Sequence, residues 1–496
     1  MGLIKRQALK NTATTYLGIG LGMLNLMVIQ PKFLTSEEIG LTRLLFSIAS
    51  LLAVFVPFGV TQLTQKYFPV FRNEEKRHHG FWGFMLLFPL IGFAVCSLFL
   101  WLGKPFIVQQ YQAESALFNE FYNFLFPFTF FLALITSLNS YAFALYKSTV
   151  PSFLNDVVSR ILNMIAFALY FIKVITLEEM VALFISFYGL QLVLLFIYIA
   201  IEDRLGWKPN WSFIRQQRFS TLLVYSGLLT FGSVASLGLR YIDAIVVGKY
   251  LPLSLLGIYA IASFVPNIIE APMNAIDRIA SSKMAAALAA NNRKEMHSIY
   301  TKSTQITSVV GGLFFLGITI SINEVLTFLP ADYSQGNWVI VIICVGTLIN
   351  TTSSSSAPIL FNSSKYKQGV VLLISVAFLS FLLNLMLIPL WGLNGAAMAT
   401  GISLVVYGLT RVLLVYKHHN LWPYTKQTGY LALVIVLLFP LYFISFTQMA
   451  SVDILIKSTI VTLVYGIIVL KMGMLHDLYD IIPNQKIRDV LKKYGN

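Results

Sequence analysis

The chain has 496 residues, of which 57% are hydrophobic and only 11% charged, with a formal net charge of +14. Soluble domains carry about 25% charged residues, so composition excludes a water-soluble globular protein of this length. Runs of about 20 apolar residues recur from Thr12 to Met474, each long enough to cross ~30 Å of hydrocarbon as a helix. Their pattern is continuous rather than alternating, which excludes membrane strands.

The first run follows Lys5, Arg6 and Lys10. It is longer than a signal-peptide core and lacks a small-residue cleavage site, so it reads as a span. Hydropathy and turn residues predict spans near 12–30, 41–66, 81–102, 121–146, 152–172, 179–201, 221–247, 254–277, 303–327, 337–361, 368–390, 393–415, 429–447 and 454–474. The expected fold is therefore all-α and polytopic, with about fourteen transmembrane helices.

Alternating the sides from a cytoplasmic N-terminus places 28 of the 35 Lys and Arg in the cytoplasm. The other seven are Lys32, Arg43, Lys104, Lys173, Arg240, Lys249 and Lys457. Acidic residues split evenly, so the asymmetry belongs to the basic residues and orients both termini toward the cytoplasm. The positive charge thus needs no nucleic-acid partner. Clusters such as Arg215 with Arg218 and Arg293 with Lys294 read as topology signals that meet anionic headgroups.

The longest extracytoplasmic loop expected is 103–119, too short for an outer domain. Cys96 and Cys344 lie inside apolar runs and read as packing residues. The six histidines fall in or beside cytoplasmic loops, a poor pattern for a metal. No Walker A sequence occurs, and nothing in the sequence calls for a cofactor.

Two stretches align at nearly equal offsets. Phe33 to Leu41 matches Tyr250 to Ile258 at an offset of 217, and Ala142 to Ser148 matches Ala357 to Ser363 at 215. Spans one to six and seven to twelve therefore read as two copies of one unit. Six is an even number, so the copies insert in the same orientation as a parallel pseudo-twofold repeat, the architecture of carriers that rock two lobes about a central site. The expected division is 1–218 for the first lobe and its linker, 219–420 for the second, and 421–496 for spans thirteen and fourteen with a basic cytoplasmic tail.

A charge at mid-bilayer costs about 2.5–3.5 kcal/mol on insertion scales, so each embedded ionisable group is a functional candidate. Arg43 lies a turn into span two without a local partner. Arg240 and Asp243 share one face of span seven, either as a self-neutralising pair or as cavity groups. Glu270 precedes Pro272 in span eight, whose exit is marked by Asp277 and Arg278, and Asp156 and Arg160 open span five at headgroup depth. Gln62, Gln65 and Lys66 fall near the inner end of span two, where they would line an inward-facing mouth.

The segments Ala13 to Gly20, Leu34 to Leu41, Tyr225 to Leu228, Tyr241 to Tyr250 and Asn384 to Thr400 resemble, in order and spacing, the bacterial polysaccharide-biosynthesis flippases of the multidrug/oligosaccharidyl-lipid/polysaccharide exporter superfamily. The resemblance spans about 10–415. It implies a non-enzymatic flippase of the inner membrane that moves an undecaprenyl-pyrophosphate oligosaccharide, such as an O-antigen or lipopolysaccharide precursor, to the periplasmic leaflet by alternating access. It further implies association with membrane lipids and with glycan polymerases and glycosyltransferases. On that reading Arg43, Arg240 and Lys66 attract the pyrophosphate, Gln62 and Gln65 line its path, and Asp243 or Glu270 couples an ion. The alternatives are a cation-coupled multidrug exporter of the same superfamily, a peptidoglycan-precursor flippase, and a membrane-embedded glycan polymerase or ligase. The last is disfavoured by the absence of a large outer loop.

Overall fold

A computed structural model describes residues 14–111, 114–216 and 219–474. The basic residues of both chain ends lie outside the described residues, as do the side chains of Lys66, Arg215 and Arg278. Among the described residues every regular element is a helix. Large apolar side chains lie outward along these helices, Phe99 at 79% exposure with Trp101, Leu102 and Phe106 beside it. Such a surface suits lipid and would aggregate in water. The contacts divide the chain into two compact units, Met1–Ala260 and Ile261–Asn496.

The first unit opens with α1 over 14–33, which contains a π segment at Leu24–Ile29. It continues with α2 (Ser36–Phe55), α3 (Val60–Phe71), α4 (Phe81–Tyr111), α5 (Leu125–Ala144), α6 (Ser159–Phe171), α7 (Leu177–Glu202), α8 (Phe219–Tyr250) and α9 (Leu253–Ala262). α2 starts with a capping box, in which Thr35 accepts from the Glu38 N–H and Glu38 accepts from the Thr35 N–H. Thr176 and Glu179 repeat this device at α7. The expected second span breaks at Gly59, whose φ of 77° caps α3. α4 runs nine residues beyond the expected end of span three, through Pro105 to Tyr111, and takes up much of the outer loop read from the sequence. Its 31 residues extend for about 46 Å, well beyond ~30 Å of hydrocarbon.

The repeat becomes physical where α2 meets α9. A Cβ on Gly40 would lie 1.9 Å from the Leu253 carbonyl oxygen, and one on Gly257 would lie 1.8 Å from that of Ser36. Residues 36 and 253, like 40 and 257, are related by the offset of 217, so the contact is self-complementary, as a twofold contact must be. Only hydrogen fits at either Cα, and the two backbones touch.

The second unit comprises α10 (Asn267–Ala289), α11 (Arg293–Ile320), α12 (Asn337–Thr351), α13 (Ser356–Asn362), α14 (Tyr366–His419), α15 (Lys426–Leu438) and α16 (Ala450–Lys471). α12 and α13 are separated by a break whose last residue, Ser355, has a φ of 65°. α14 is written as 54 residues, which would stretch ~81 Å if straight. It reverses at Gly392 (φ 56°, ψ −132°), and Gly395 then packs against the Leu387 carbonyl, where a Cβ would lie 2.0 Å away. Spans eleven and twelve are thus a hairpin closed by one glycine.

By length and hydropathy 11 described helices can cross a membrane, or up to 12 when the bent pair α9 and α10 counts as one span. This is fewer than the fourteen expected. One reason is that α14 fuses two of the expected spans; another is that α1 enters from outside the described residues. α16 is fastened to α11 by Tyr465, whose hydroxyl donates to the Val309 carbonyl at 2.7 Å over Gly312. About two turns earlier on α16 Lys457, 1% exposed, is held by Glu324 at 2.6 Å and Asp453 at 3.0 Å.

Candidate functional site

In the first unit the packing of α2 and α3 on α8 gathers three of the residues singled out from the sequence. Arg43 is half-buried on α2, with its guanidinium carbon 5.6 Å from the centre of the Tyr241 ring, within cation–π range. Phe46 meets the same ring edge-on at 5.8 Å. Asp243, 6% exposed, accepts from the Tyr259 hydroxyl at 2.7 Å and from the Ala244 N–H at 2.7 Å, and the Arg43 charge acts on it. Further along the seam the Gln62 amide donates to Ser233 Oγ at 2.8 Å.

Arg43 thus gains an aromatic partner from α8, while no carboxylate lies within ion-pair distance of it among the described residues. The pair reading of Arg240 with Asp243 does not hold: Arg240 is exposed on α8, and Asp243 is turned inward to Tyr259. The physical reason is that three residues advance a helix by 300°, near enough for contact but not sufficient to enforce it when a tyrosine hydroxyl competes. Gln65 is exposed on α3, and Lys66 follows it in the same helix with its side chain outside the described residues. Glu270 is half-buried on α10 and belongs to the second unit.

Asp156 and Arg160 are both in contact with α1. They pack on α1 at Gly18 and Gly22, where a Cβ would meet Asp156 Cβ at 2.7 Å and Arg160 Nη1 at 1.5 Å. The π turn Leu154–Val158 presents this face, and Asn155 on it takes a hydrogen bond from Gln191 of α7.

The second unit holds a polar cluster that the sequence did not mark as a site. The Asp277 carboxylate accepts from Ser354 Oγ at 2.8 Å and from the Ser355 N–H at 2.7 Å, at the break between α12 and α13. Arg411 of α14, 4% exposed, donates through Nη2 to Asn350 Oδ1 at 2.7 Å and Ser353 Oγ at 2.6 Å, and lies over the Tyr407 ring at 4.3 Å. Its Nε is buried without a partner. From the sequence Arg411 counts as a basic-side residue and Asp277 as a helix exit. The usable signal was the run Ser353 to Ser356 inside an apolar stretch, where hydroxyls and a broken helix can satisfy buried charges.

The same unit carries an apolar groove of about 690 Å³ between α11, α12, α14 and α15. Phe315, Val345, Leu348, Leu409 and Ile435 wall it, and Thr352 and Tyr424, 3.2 Å apart through their hydroxyls, stand at its polar end. A Cβ on Gly429, which also lines it, would meet no heavy atom within 4 Å.

On the first unit's connections, residues 77–80 form a left-handed turn, with φ of 46°, 50°, 54° and 71°. Three non-glycine residues in this region are strained. They are pinned from outside: His78 Nδ1 accepts from the Asn73 N–H, so Nε2 carries the proton donated to Asp203 at 3.0 Å. The Tyr141 hydroxyl donates to the other Asp203 oxygen, and His79 stacks on Phe213 at 3.9 Å. Burial alone would raise the Asp203 pKa; the bonds from His78 and Tyr141 outweigh it and hold the carboxyl below its usual range.

No curated protein matches the chain. Its fold is similar to that of the lipid II flippase MurJ in an inward closed conformation, with a TM-score of 0.68 at 16% identity over 95% of this chain and 99% of that one. It is also similar to a multidrug resistance MATE family transporter of the MOP superfamily in an inward-facing conformation, at 0.62 and 11% over 84% and 95% of the two chains. A third likeness is to the MATE multidrug transporter DinF-BH, at 0.57 and 14% over 84% and 96%. At these identities the likeness is one of fold. The family described as "Polysaccharide biosynthesis protein" matches residues 4–282, more than half of the sequence. The chain is a multi-pass helical membrane protein that belongs to the polysaccharide biosynthesis protein family.

Proposed function

We propose that the chain flips a lipid-linked oligosaccharide, carried on undecaprenyl pyrophosphate, from the cytoplasmic to the periplasmic leaflet of the bacterial inner membrane, in step with the glycosyltransferases and polymerases of a surface polysaccharide. The observation that carries this reading is the apolar groove beside α15. An apolar wall can receive a polyprenyl chain at little cost against the hydrocarbon it leaves, because apolar side chains and lipid tails are equally apolar. The polar end of the cargo needs cations. Half-buried Arg43 and exposed Arg240 supply them within the first unit, with Lys66 as a further cation and Gln62 and Gln65 as polar lining.

The functional lobes are proposed as 1–218 and 219–420, with 421–496 appended, so that α8 opens the second lobe although its contacts place it in the compact unit Met1–Ala260, and a cytoplasmic position of both termini is supported by the basic asymmetry. Asp243 and Glu270 are the carboxylates proposed to couple an ion. The membrane potential is worth about 2.3 kcal/mol per charge per 100 mV.

Gly429→Trp tests the reading, since an indole there fills the groove without a backbone clash. In proteoliposomes loaded with a fluorescent undecaprenyl-pyrophosphate oligosaccharide, dithionite quenching reports the leaflet of the label. The expected result is flipping by the native chain and at least tenfold slower flipping by the variant at equal protein. Unchanged flipping in the variant would remove the groove from the reading. A native chain that extrudes ethidium but moves no lipid-linked sugar would replace the flippase with a drug exporter.

A further inference from the structure

Three connections of the second unit, far apart in sequence, meet around one cavity of about 570 Å³: the α10–α11 turn, the α13–α14 turn and the end of α14. Arg293, His418 and His419 line it together with Asn362, Ser363 and Ser364, and no Asp or Glu is among its lining residues. All three connections belong to the side on which the sequence places its basic loops. The wall is built rather than incidental. Arg293 Nη2 donates to the Asn420 carbonyl at 2.9 Å, which ties the start of α11 to the end of α14 and occupies one of five guanidinium N–H groups. Asn291 and Asn420 turn the chain at φ of 49° and 52°. The Asn362 amide is held 3.2 Å from Ser281 Oγ. His419 Nε2 is shut off from solvent with no hydrogen-bond partner among the described residues, so this ring borders the cavity with one nitrogen turned into the protein.

An arginine fork, two imidazoles, two hydroxyls and an amide, with no opposing carboxylate, match the oxygens of a phosphate group. α11 begins at Arg293 and carries Glu295 in its first turn, so the positive potential at this wall comes from the side-chain bases rather than from the helix end. The volume falls in the range of small-molecule sites, about 300–1,000 Å³, and exceeds what a bare ion would fill. We propose that this cavity binds a phosphate ester, a phosphate group attached to a larger polar body. That chemistry has two sources, the headgroup of an anionic lipid and a water-soluble ester, and both reach this side of the protein. The site is independent of the cargo assigned above, because its residues are not among those proposed to handle it.

The test uses the full chain in two arms. In the first, native mass spectrometry of the detergent-solubilised protein follows titration with phosphatidylglycerol, with phosphatidylcholine as the control lipid. In the second, the protein in phosphatidylcholine nanodiscs is dialysed against radiolabelled glycerol 3-phosphate. The variants are Arg293→Gln combined with His418→Asn and His419→Asn, and separately Ser364→Asp. The second variant keeps every base and the Arg293–Asn420 tie while placing a carboxylate at an exposed wall position. The expected result is saturable binding by the native chain in at least one arm, weakened tenfold or more by both variants. Loss in the lipid arm assigns a headgroup, loss in the aqueous arm a soluble ester, and loss in both a site that reads the phosphate whatever its carrier. No saturable binding in either arm, or equal binding by the native chain and the Ser364→Asp variant, would overturn the proposal.

Discussion

The contact of Gly40 with Gly257 predicts an outcome that ordinary packing would not. A methyl group at Gly40 starts 1.9 Å from the Leu253 oxygen, and ordinary contact begins at 3.4 Å, so α2 and α9 must part by about 1.5 Å. The same holds for Gly257 against Ser36. Overpacking of this kind costs about 1–3 kcal/mol. Because the contact is reciprocal, Gly40→Ala and Gly257→Ala should destabilise by similar amounts. Once the helices have parted for one methyl, the second adds little, so the double variant should cost about as much as either single one, a coupling of about −1 to −3 kcal/mol. Denaturant titration in mixed micelles gives the energies. Spin labels at Glu37→Cys and Ser254→Cys, again related by 217, report the separation by pulsed electron resonance. For a carrier that opens at this end, the variants also raise the open population, about tenfold for each 1.4 kcal/mol. Additive energies in the double variant, or single variants within 0.5 kcal/mol of the native chain, would refute the reciprocal contact.

Lys457→Met leaves Glu324 and Asp453 buried without their cation, and removal of one partner from such a group costs about 3–5 kcal/mol. Thermal melting should fall sharply and recover largely in the triple variant with Glu324→Gln and Asp453→Asn; no recovery would mean that the lysine stem, not its charge, matters. Arg43→Ala should reduce surface glycan strongly at unchanged protein level, and Arg43→Lys should restore only part of it, because an ammonium cannot reproduce the guanidinium fork. Full glycan in the alanine variant would remove Arg43 from the site. The Asp203 carboxyl titrates below its usual range when folded, so its contribution is complete above pH ~4 and is lost as pH falls through the lowered value. Asp203→Asn should abolish that acid limb and free the 77–80 turn to proteolysis at neutral pH; an unchanged digestion pattern would mean that the turn needs no lock.

Much of the architecture was readable along the chain because it rests on properties that are local. Apolar length marks a span whatever its neighbours. The Thr35 and Thr176 capping boxes are written within four residues, and Gly392 falls in the gap between two expected spans. The repeat offset of 217, read from loop and helix-end residues, identified two glycines that proved to touch each other.

The candidate site was less legible, since its groups meet across helices. Arg43 finds Tyr241 nearly 200 residues away, Arg411 finds Asn350 and Ser353, and Lys457 finds Glu324. Hydropathy reports how deep a residue belongs in the membrane but not which way its side chain turns about the helix axis. That rotation is set by packing, as Arg240 shows by facing outward while Asp243, one turn on, faces Tyr259. The sequence by itself therefore determined a helical membrane protein and pointed to its internal duplication, because burial in lipid acts on each segment separately. Only the tertiary structure decided which charges are covered, where the backbones touch and where the groove and the basic cavity open, because these follow from the fit of one helix against another.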